Sequence, residues 1–305
     1  MKGVSHLKKS ALVIINPSSG KEQATEYEEQ IRETLQDAYS EITVKYTEGE
    51  GDATRFAKEA AENNYDFVVS LGGDGSVNET VNGLAPFNNP PKLGIIPMGT
   101  VNDLARSLNI PMKPVDAIKL LVSGIETKID IGMANDDIYF TNILGIGSAA
   151  KAIHHVDSAE KSKIGPIAYL KAIGKEIMDD HTFPIKFEME EHTWEGDVSV
   201  VLISLIDSLG GIKTIVNEVE NGDGNFHIFA FKHLNLTELA KMTPSIIMGK
   251  LKESENVQYF KTRQVNITTS AGETQESDID GEQGPNLPLT LKVLQQHITI
   301  ISNKA

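Results

Sequence analysis

The stretch Ser70-Leu71-Gly72-Gly73-Asp74-Gly75-Ser76-Val77-Asn78-Glu79 decides the fold of this chain. The short apolar run 66–71, which is rich in valine, predicts a buried parallel strand leading into the glycines. Val77, Val81 and Leu84 then follow at the spacing of an apolar helix face. The three glycines therefore lie on a strand-to-helix turn.

This turn is suited to phosphate. Glycine permits positive φ and lets a ligand approach the bare backbone, and the N-terminus of the following helix attracts an anion. Asp74 is placed to hold Mg²⁺ against that phosphate. A Rossmann turn would need glycine where Asn78 stands, and a Walker A loop would need Ser or Thr where Glu22 follows Gly20-Lys21. The sequence therefore predicts a phosphate site of another type.

The composition of the chain excludes some classes of function. The 305 residues are enough for two domains, and 40% hydrophobic with 23% charged residues is ordinary for a globular protein. The net charge of −15 argues against general nucleic-acid binding. No cysteine is present, which excludes disulfides and a thiolate nucleophile. Without a visible signal peptide or membrane-spanning run, we expect a cytoplasmic protein.

Strands and helices alternate through about residue 125, with buried strands predicted at 11–15, 42–46, 66–71 and 93–96. This pattern predicts an α/β domain with an open, mostly parallel sheet. Ligands of such sheets bind at the carboxyl ends of the strands. Four polar turns follow those ends, at Asn16-Pro17-Ser18-Ser19-Gly20, Thr47, Gly72-Gly73-Asp74 and Thr100 with Asn102-Asp103.

Beyond Lys128 the pattern changes to strands joined by polar turns, with strands predicted at 139–144 and 289–294 among others, and this predicts an antiparallel β-sandwich. The last strand, His297–Ile301, is expected to return to the first domain. The predicted domains are residues 1–128 with about 295–305, and residues 129–294.

Two features of the second domain have alternative interpretations. Residues 161–175 are locally basic and amphipathic, so they are either a membrane-contacting face or a solvated helix packed on its own domain. Asp280-Gly281-Glu282 places two carboxylates around a glycine turn between strands. The pair could present a general base and a metal ligand, or be ordinary acids of a solvated turn.

Taken in order, four motifs resemble the diacylglycerol kinase catalytic-domain family, specifically its soluble bacterial lipid kinases. The motifs are Asn16–Lys21, Gly72–Glu79, Pro97–Asp103 and Asp280–Glu282, and the similarity covers nearly the whole chain. The resemblance implies an ATP-binding α/β domain, a β-sandwich domain and a lipid site in the cleft between them. It further implies transfer of the γ-phosphoryl group of ATP to a lipid hydroxyl, most simply that of diacylglycerol.

The resemblance also assigns residues. It implies nucleotide contacts at Asn16, Pro17, Ser18, Ser19, Gly20, Thr47, Gly72, Gly73, Asp74, Gly75, Ser76, Val77, Asn78 and Thr100, to which the turn pattern adds Asn102 and Asp103. Asp280-Gly281-Glu282 supplies the base, with Glu282 favoured and Asp280 orienting it, or with the roles exchanged. A structural Mg²⁺ is implied on Asp223 and the backbone of Glu220 and Asn225.

The chain departs from the family pattern at three positions. Ser76 replaces Thr and keeps the hydroxyl group, whereas Asp207 stands where Asn is expected and Asn217 where Pro is common. The last two leave the identity of the lipid substrate open.

Two other functions remain open. The Gly-Gly-Asp-Gly turn is shared with NAD kinases, although Asn16–Gly20 and Asp280–Glu282 favour the lipid branch. The second alternative is a catalytically weak regulator that binds nucleotide or lipid. The carboxylates of Asp74, Asp103, Asp280 and Glu282 argue against it. We expect ATP and Mg²⁺ as cofactors, a lipid substrate reached from the cytosol, and transient peripheral contact with the inner face of the membrane. The sequence leaves open whether the chain forms a homodimer.

Overall fold

The computed structural model describes residues 9–147, 181–209, 212–213, 222–248, 250–269 and 274–303. These residues divide into two compact units. The first consists of the residues up to Lys128 and those from Ile298 onward, and the second of Ile129–His297.

The first unit is an α/β domain built on a parallel sheet with the strand order β2-β1-β3-β4. Its strands are β1 (Ser10–Ile15), β2 (Glu41–Tyr46), β3 (Phe67–Gly72) and β4 (Lys92–Pro97). The pairs β1/β2, β1/β3 and β3/β4 are all parallel, with Val13 opposite both Val44 and Val69. Every residue of β3 is buried, as expected for a central strand covered on both faces.

Six α-helices accompany these strands in the described part of the unit. They are α1 (Ser19–Glu22), α2 (Glu28–Leu35), α3 (Asp52–Glu62), α4 (Asp74–Leu84), α5 (Asp103–Ser107) and α6 (Pro114–Ser123), with a short 3-10 helix at Ala24–Tyr27. Helices α3 and α4 pack closely because Gly83 has no side chain: a Cβ there would overlap the carbonyl oxygen of Thr54. This packing fixes the direction in which α4 leaves the glycine turn.

The second unit is an antiparallel β-sandwich, as the sequence predicted. One sheet has the order β14-β13-β10-β7-β16-β17, and the strands β18-β15-β8-β9 form the other antiparallel layer. The strands are β5 (Ile125–Ala134), β6 (Ile138–Phe140), β7 (Ile143–Ile146), β8 (Phe183–Met189), β9 (Thr193–Val198), β10 (Val200–Ser204), β11 (Ser208–Leu209), β12 (Ile212–Lys213), β13 (Phe226–Phe231), β14 (Val257–Thr262), β15 (Gln264–Thr269), β16 (Ser277–Ile279), β17 (Glu282–Gln283) and β18 (Leu289–Ser302). Helix α7 (Leu236–Ile247) and a 3-10 turn (Leu251–Glu253) follow β13.

The central strands β10 and β13 carry much of the core of this sheet. Every residue of both is buried, including the polar side chains of Ser204 and His227. The sheet therefore has a continuous apolar interior from which the turns at its edges project.

Two strand boundaries differ from those expected. The stretch 139–144 is not one strand, because the chain breaks at Thr141 and Asn142 between β6 and β7. Conversely, the two C-terminal strands expected at 289–294 and 297–301 are the single strand β18. The beginning of β18 pairs antiparallel with β15, and Ile300 near its end pairs parallel with Leu93 of β4. Among the described helices, none combines the length and apolar character needed to cross a bilayer.

Candidate active site

Asn16 joins two of the polar turns in the first unit. It directly follows β1, and its backbone N–H donates to the carbonyl oxygen of Leu71 at the end of β3 (3.0 Å). Its side-chain Nδ2 donates to Ser76 Oγ (3.1 Å), while Oδ1 accepts from the N–H and Oγ of Ser18 (3.1 and 2.7 Å). One amide therefore holds the turn after β1 against the glycine turn after β3.

Asp74 makes the corresponding link between the turns after β3 and β4. Its Oδ2 accepts from the backbone N–H of Asn102 (2.7 Å), and Oδ1 accepts from that of Asp103 (2.8 Å). Burial, followed by the nearby charge of Asp103, raises the pKa of Asp74 above its ordinary value. The backbone N–H of Asp74 itself is a third donor, and a carboxylate has four lone-pair positions, so Asp74 can anchor the turns and still bind a cation.

The two glycine turns also touch through their backbones. A Cβ added to Gly99 would lie 2.7 Å from Gly73 Cα, closer than real Cβ contacts come. Asn102, at a left-handed φ of 52°, closes the second turn: its Oδ1 accepts from Gly99 N (3.0 Å) and its Nδ2 donates to Gly99 O (2.8 Å). Glycine at position 99 is therefore required by the approach of the neighbouring turn.

Beside these turns lies a cavity of about 340 Å³. It is lined by Asn16, Pro17, Ser18, Thr47, Glu48, Gly49, Glu50, Ala53, Ser76 and Glu79. The backbone N–H of Thr47 donates to Ile15 O (2.9 Å), which places the end of β2 beside the Asn16 turn. The volume is within the range of small-molecule sites, and the cavity lies at the strand ends where ligands of open α/β sheets bind.

Not every predicted residue turns toward this cavity. Val77 is buried in the core, and the Oδ1 of buried Asn78 accepts from Asn82 Nδ2 one helical turn later (2.9 Å). Gly75 and Thr100 are exposed. Gly20, at a φ of 62°, lies against Met98, where a Cβ would collide with the methionine side chain.

Three acids of the cavity were missed from the sequence. Glu48, Glu50 and Glu79 line it. The carboxylate of Glu79 accepts from Ala53 N at the start of α3 (3.1 Å). Glu48 directly follows Thr47 at the end of β2, and this position was the signal that could have identified it.

In the second unit, Asp280 and Gly281 form the two-residue turn of the β16/β17 hairpin. Both have positive φ, 52° and 94°, as such turns require. The Asp280 carboxylate accepts four hydrogen bonds from the break between β6 and β7. Its donors are Thr141 N (2.9 Å), Thr141 Oγ (3.3 Å), Asn142 N (3.0 Å) and Ile143 N (2.9 Å).

The two acids of this hairpin have different environments. Burial raises the pKa of Asp280 to about 6 although its hydrogen-bond donors act in the opposite direction. Four donors also occupy the four lone-pair positions of its carboxylate, so Asp280 fixes the hairpin on β7. Glu282, opposite Ile279 in the hairpin, is exposed.

Asp223 is held by cationic and polar neighbours. Its Oδ2 lies 3.0 Å from Nε2 of buried His227 and 2.8 Å from Lys261 Nζ, and Oδ1 accepts from Asn225 N (2.9 Å). Burial acts to raise the pKa of Asp223, but Lys261 and His227 outweigh it and the pKa lies below its ordinary value. Oδ1 keeps a lone pair for a divalent ion.

Some expectations fall where the structure gives no test. Glu220, Asn217 and the basic segment 161–175 lie outside the described residues. Within the described residues, no group of three or more His, Cys, Asp or Glu side chains is arranged to hold a metal ion by itself. A bound ion at either site would therefore take ligands beyond such a cluster, such as backbone carbonyls, water or phosphate oxygens.

Comparison with protein families identifies two consecutive matches. Residues 10–134 match the diacylglycerol kinase catalytic domain. Residues 142–302 match the YegS C-terminal NAD kinase beta sandwich-like domain. Together the matches cover both units described above.

Individual proteins are similar over the whole chain. A protein of Streptococcus pneumoniae serotype 4 is 39% identical over 294 residues, 96% of this chain and 98% of its own. The diacylglycerol kinase of Bacillus subtilis is 34% identical and covers 97% of each chain. Two crystal structures from Bacillus anthracis also superimpose. The first has a TM-score of 0.82 at 30% sequence identity and covers 99% of this chain and 97% of that chain. The second, named a diacylglycerol kinase, has a TM-score of 0.76 at 28% sequence identity and covers 98% of each chain.

Proposed function

The chain belongs to the diacylglycerol kinase catalytic-domain family and is a lipid kinase, and from this premise we propose that it transfers the γ-phosphoryl group of ATP, with Mg²⁺, to the hydroxyl group of diacylglycerol. The product is phosphatidic acid. The proposal makes the first unit the nucleotide site and the second the source of the base.

The observation that carries the proposal is the bridge made by Asp74. Its carboxylate binds the backbone of the Asn102-Asp103 turn while lying in the glycine turn beside the cavity. Phosphoryl transfer requires positioning and charge neutralisation more than covalent chemistry. A preorganised carboxylate between two glycine turns supports that use.

Mg²⁺ fits this site by the chemistry of its donors. Asp74 and Asp103 offer carboxylate oxygens, and Mg²⁺ is commonly held by one or two carboxylates together with substrate phosphates. When bound, the ion supplies positive charge that offsets the charge on the phosphates. Asp74 and Asp103 are the residues that would hold it.

The remaining residues of the first unit bind and orient the nucleotide. Asn16, Ser18, Thr47 and Ser76 contribute amide and hydroxyl groups to the cavity lining. The N-terminus of the eleven-residue helix α4 adds backbone N–H groups and the positive end of its dipole. Val77 and Asn78 contribute through this backbone, since their side chains are buried in the helix packing.

The second unit supplies the proton acceptor. Exposed Glu282 takes the proton of the lipid hydroxyl, and Asp280 fixes the hairpin that carries it through four hydrogen bonds to Thr141, Asn142 and Ile143. The exchanged assignment, with Asp280 as the base, is the alternative to be tested, and it requires Asp280 to give up at least one of these four hydrogen bonds to accept the proton.

A structural Mg²⁺ on Asp223 and the backbone of Glu220 and Asn225 forms part of the proposal. So does transient contact with the inner face of the membrane from the cytosol, for which the basic segment 161–175 is the candidate. Sedimentation with anionic lipid vesicles tests that contact, and analytical ultracentrifugation tests for a homodimer.

The function is tested by incubating the protein with Mg²⁺ and γ-labelled ATP and offering four acceptors separately: diacylglycerol, a long-chain alcohol, glycerol and NAD. Label should pass to diacylglycerol and depend on Mg²⁺. Label on NAD alone would identify an NAD kinase. This is the relevant alternative because the second unit matches an NAD kinase beta sandwich-like domain. Nucleotide binding without transfer to any acceptor would indicate a regulator.

A further inference from the structure

Glu48 occupies a position in the sheet where an acid can recognise ribose. Strand β2 lies parallel to β1, the Asn16 turn follows β1, and Glu48 is the second residue after β2. In dinucleotide-binding folds the phosphate turn follows the first strand, and an acid near the end of the second accepts hydrogen bonds from the ribose. The order of the elements is the same here, although the glycine fingerprint of those folds is not present at the turn.

The backbone around Glu48 is fixed on both sides. The N–H of Thr47 is bound to Ile15 O, and the N–H groups of Glu48 and Gly49 both donate to Asp52 Oδ2 (2.8 and 3.1 Å). Asp52 in turn begins helix α3. Because this loop is already ordered, the Glu48 side chain starts from a defined position, and ligand binding costs little conformational entropy in the loop.

The Glu48 side chain is available for a ligand. It lines the cavity from an exposed position, and among the described residues its carboxylate has no hydrogen-bond or ion-pair partner. Glu79, also in the lining, differs because its carboxylate is already bound to Ala53 N. Glu50 also lines the cavity and is exposed, but it lies two residues farther from the end of β2.

The two kinds of lining group suit different parts of a nucleotide. Asn16, Ser18 and Ser76 bring neutral hydrogen-bonding groups that tolerate phosphate, whereas a carboxylate repels phosphate and accepts from hydroxyl groups. The ribose of a nucleoside triphosphate carries two adjacent hydroxyl donors. A carboxylate has two oxygens to accept them.

Resting on the proposed kinase function, we infer that the Glu48 carboxylate accepts hydrogen bonds from the ribose hydroxyl groups of the phosphoryl donor. Glu48 is thereby a specificity-determining residue. It makes the enzyme select ribonucleoside triphosphates over their deoxy analogues, and it fixes which end of the nucleotide lies at β2.

The test is calorimetric titration in the presence of Mg²⁺ and without lipid. Each protein is titrated with ATP, 2′-deoxy-ATP and 3′-deoxy-ATP, using the wild type, Glu48→Ala and the matched control Glu50→Ala. A hydrogen bond to a charged group is worth enough for a preference of about 10-fold or more for ATP over at least one deoxy analogue. Glu48→Ala should reduce that preference to within about twofold by weakening ATP selectively, while Glu50→Ala keeps it.

The outcomes separate this inference from the function on which it rests. If the wild type binds no nucleotide, the proposed function fails. If the wild type binds ATP but binds both deoxy analogues equally well, the role of Glu48 is refuted and the kinase proposal stands. A preference that survives Glu48→Ala, or that is lost only in Glu50→Ala, also overturns the inference. Melting temperatures of the variants, measured without nucleotide, verify that each is folded.

Discussion

Replacing Asp74 by Asn separates its role in binding from its role in the fold. The wild-type carboxylate accepts the backbone N–H groups of Asn102 and Asp103 at 2.7 and 2.8 Å. An Asn side chain has one carbonyl oxygen, so it can keep one of these bonds and must turn its amide group toward the other donor. The variant therefore loses one hydrogen bond to a charged acceptor, worth about 1.5–3 kcal/mol.

Part of this loss is offset. The pKa of Asp74 is raised by burial and by Asp103, which means that ionised Asp74 is disfavoured in the folded state, and Asn removes that charge. We expect a net loss of about 1–2 kcal/mol, which lowers the melting temperature by about 2–8 °C. Activity should fall much further, by about 10²-fold or more, because a group that neutralises phosphate charge is lost.

Thermal melting with and without Mg²⁺ and ATP measures both effects in one assay. A ligand at 100 times its Kd stabilises the wild type by about 2.7 kcal/mol, and Asp74→Asn should show little of this stabilisation. Asp66→Asn is the matched control, because Asp66 also accepts a backbone N–H, from Ser10 (2.8 Å), but precedes β3 at the end opposite the glycine turn. An Asp74→Asn variant that keeps wild-type turnover would refute the reasoning. So would one that loses turnover yet is stabilised by Mg²⁺ and ATP as strongly as the wild type.

Four further results are expected. Glu282→Gln should lower kcat by roughly 10²–10⁴-fold while calorimetry shows ATP affinity within a few-fold, whereas normal kcat in Glu282→Gln together with its loss in Asp280→Asn would make Asp280 the base. Because the pKa of Asp280 is raised to about 6, protonated Asp280 stabilises the folded state, fully below its unfolded pKa, and this stabilisation of about 3 kcal/mol is lost as pH rises through about 6. The free energy of unfolding, measured with denaturant, should show this fall for the wild type relative to Asp280→Asn. Parallel pH curves for the two proteins would contradict it. Gly99→Ala should weaken nucleotide binding and destabilise the protein by about 1–3 kcal/mol, because the added Cβ meets the neighbouring turn. The control Gly49→Ala should not destabilise the protein, because no atom lies within 4 Å of the added Cβ. Equal effects of the two substitutions would show that the close approach of the turns is unimportant. EDTA should lower the melting temperature of the wild type but not of Asp223→Ala, and equal responses would leave Asp223 as an ion-pair residue alone.

The parallel domain and its site edge could be predicted from sequence because each strand is a short apolar run ending in a polar turn. Strands of a parallel sheet share one edge for their carboxyl ends, so Asn16, Asp74 and Asn102 had to be neighbours once their strands were recognised. The contacts between the turns could not be predicted. That Asp74 reaches the backbone of Asn102 depends on the distance between two turns, which sequence spacing does not contain.

The break at Thr141 and Asn142 shows a second limit. Apolar residues on both sides predicted one strand across 139–144, since the strand pattern is local. The backbone leaves the ladder there because its N–H groups bind Asp280, which is 139 residues away along the chain. A carboxylate so distant in sequence overrides the local preference, and no periodicity reveals it. The sequence did single out Asp280-Gly281-Glu282 as a glycine turn between strands, and the structure has that turn in the β16/β17 hairpin.

Strand β18 constrains the order in which the molecule can be completed. Its residues 298–302 belong to the first unit, where Ile300 pairs with Leu93 and Ser302 Oγ bonds Thr127 Oγ1, yet they are synthesised after the entire second unit. During translation, the edge of β4 that pairs with Ile300 stays unpaired until residues 298–302 have been synthesised. An unpaired strand edge is a known starting point for aggregation. Residues 298–302 thus complete the sheet of the first unit, and a fragment that stops before them is expected to depend on chaperones even though it contains the whole glycine turn.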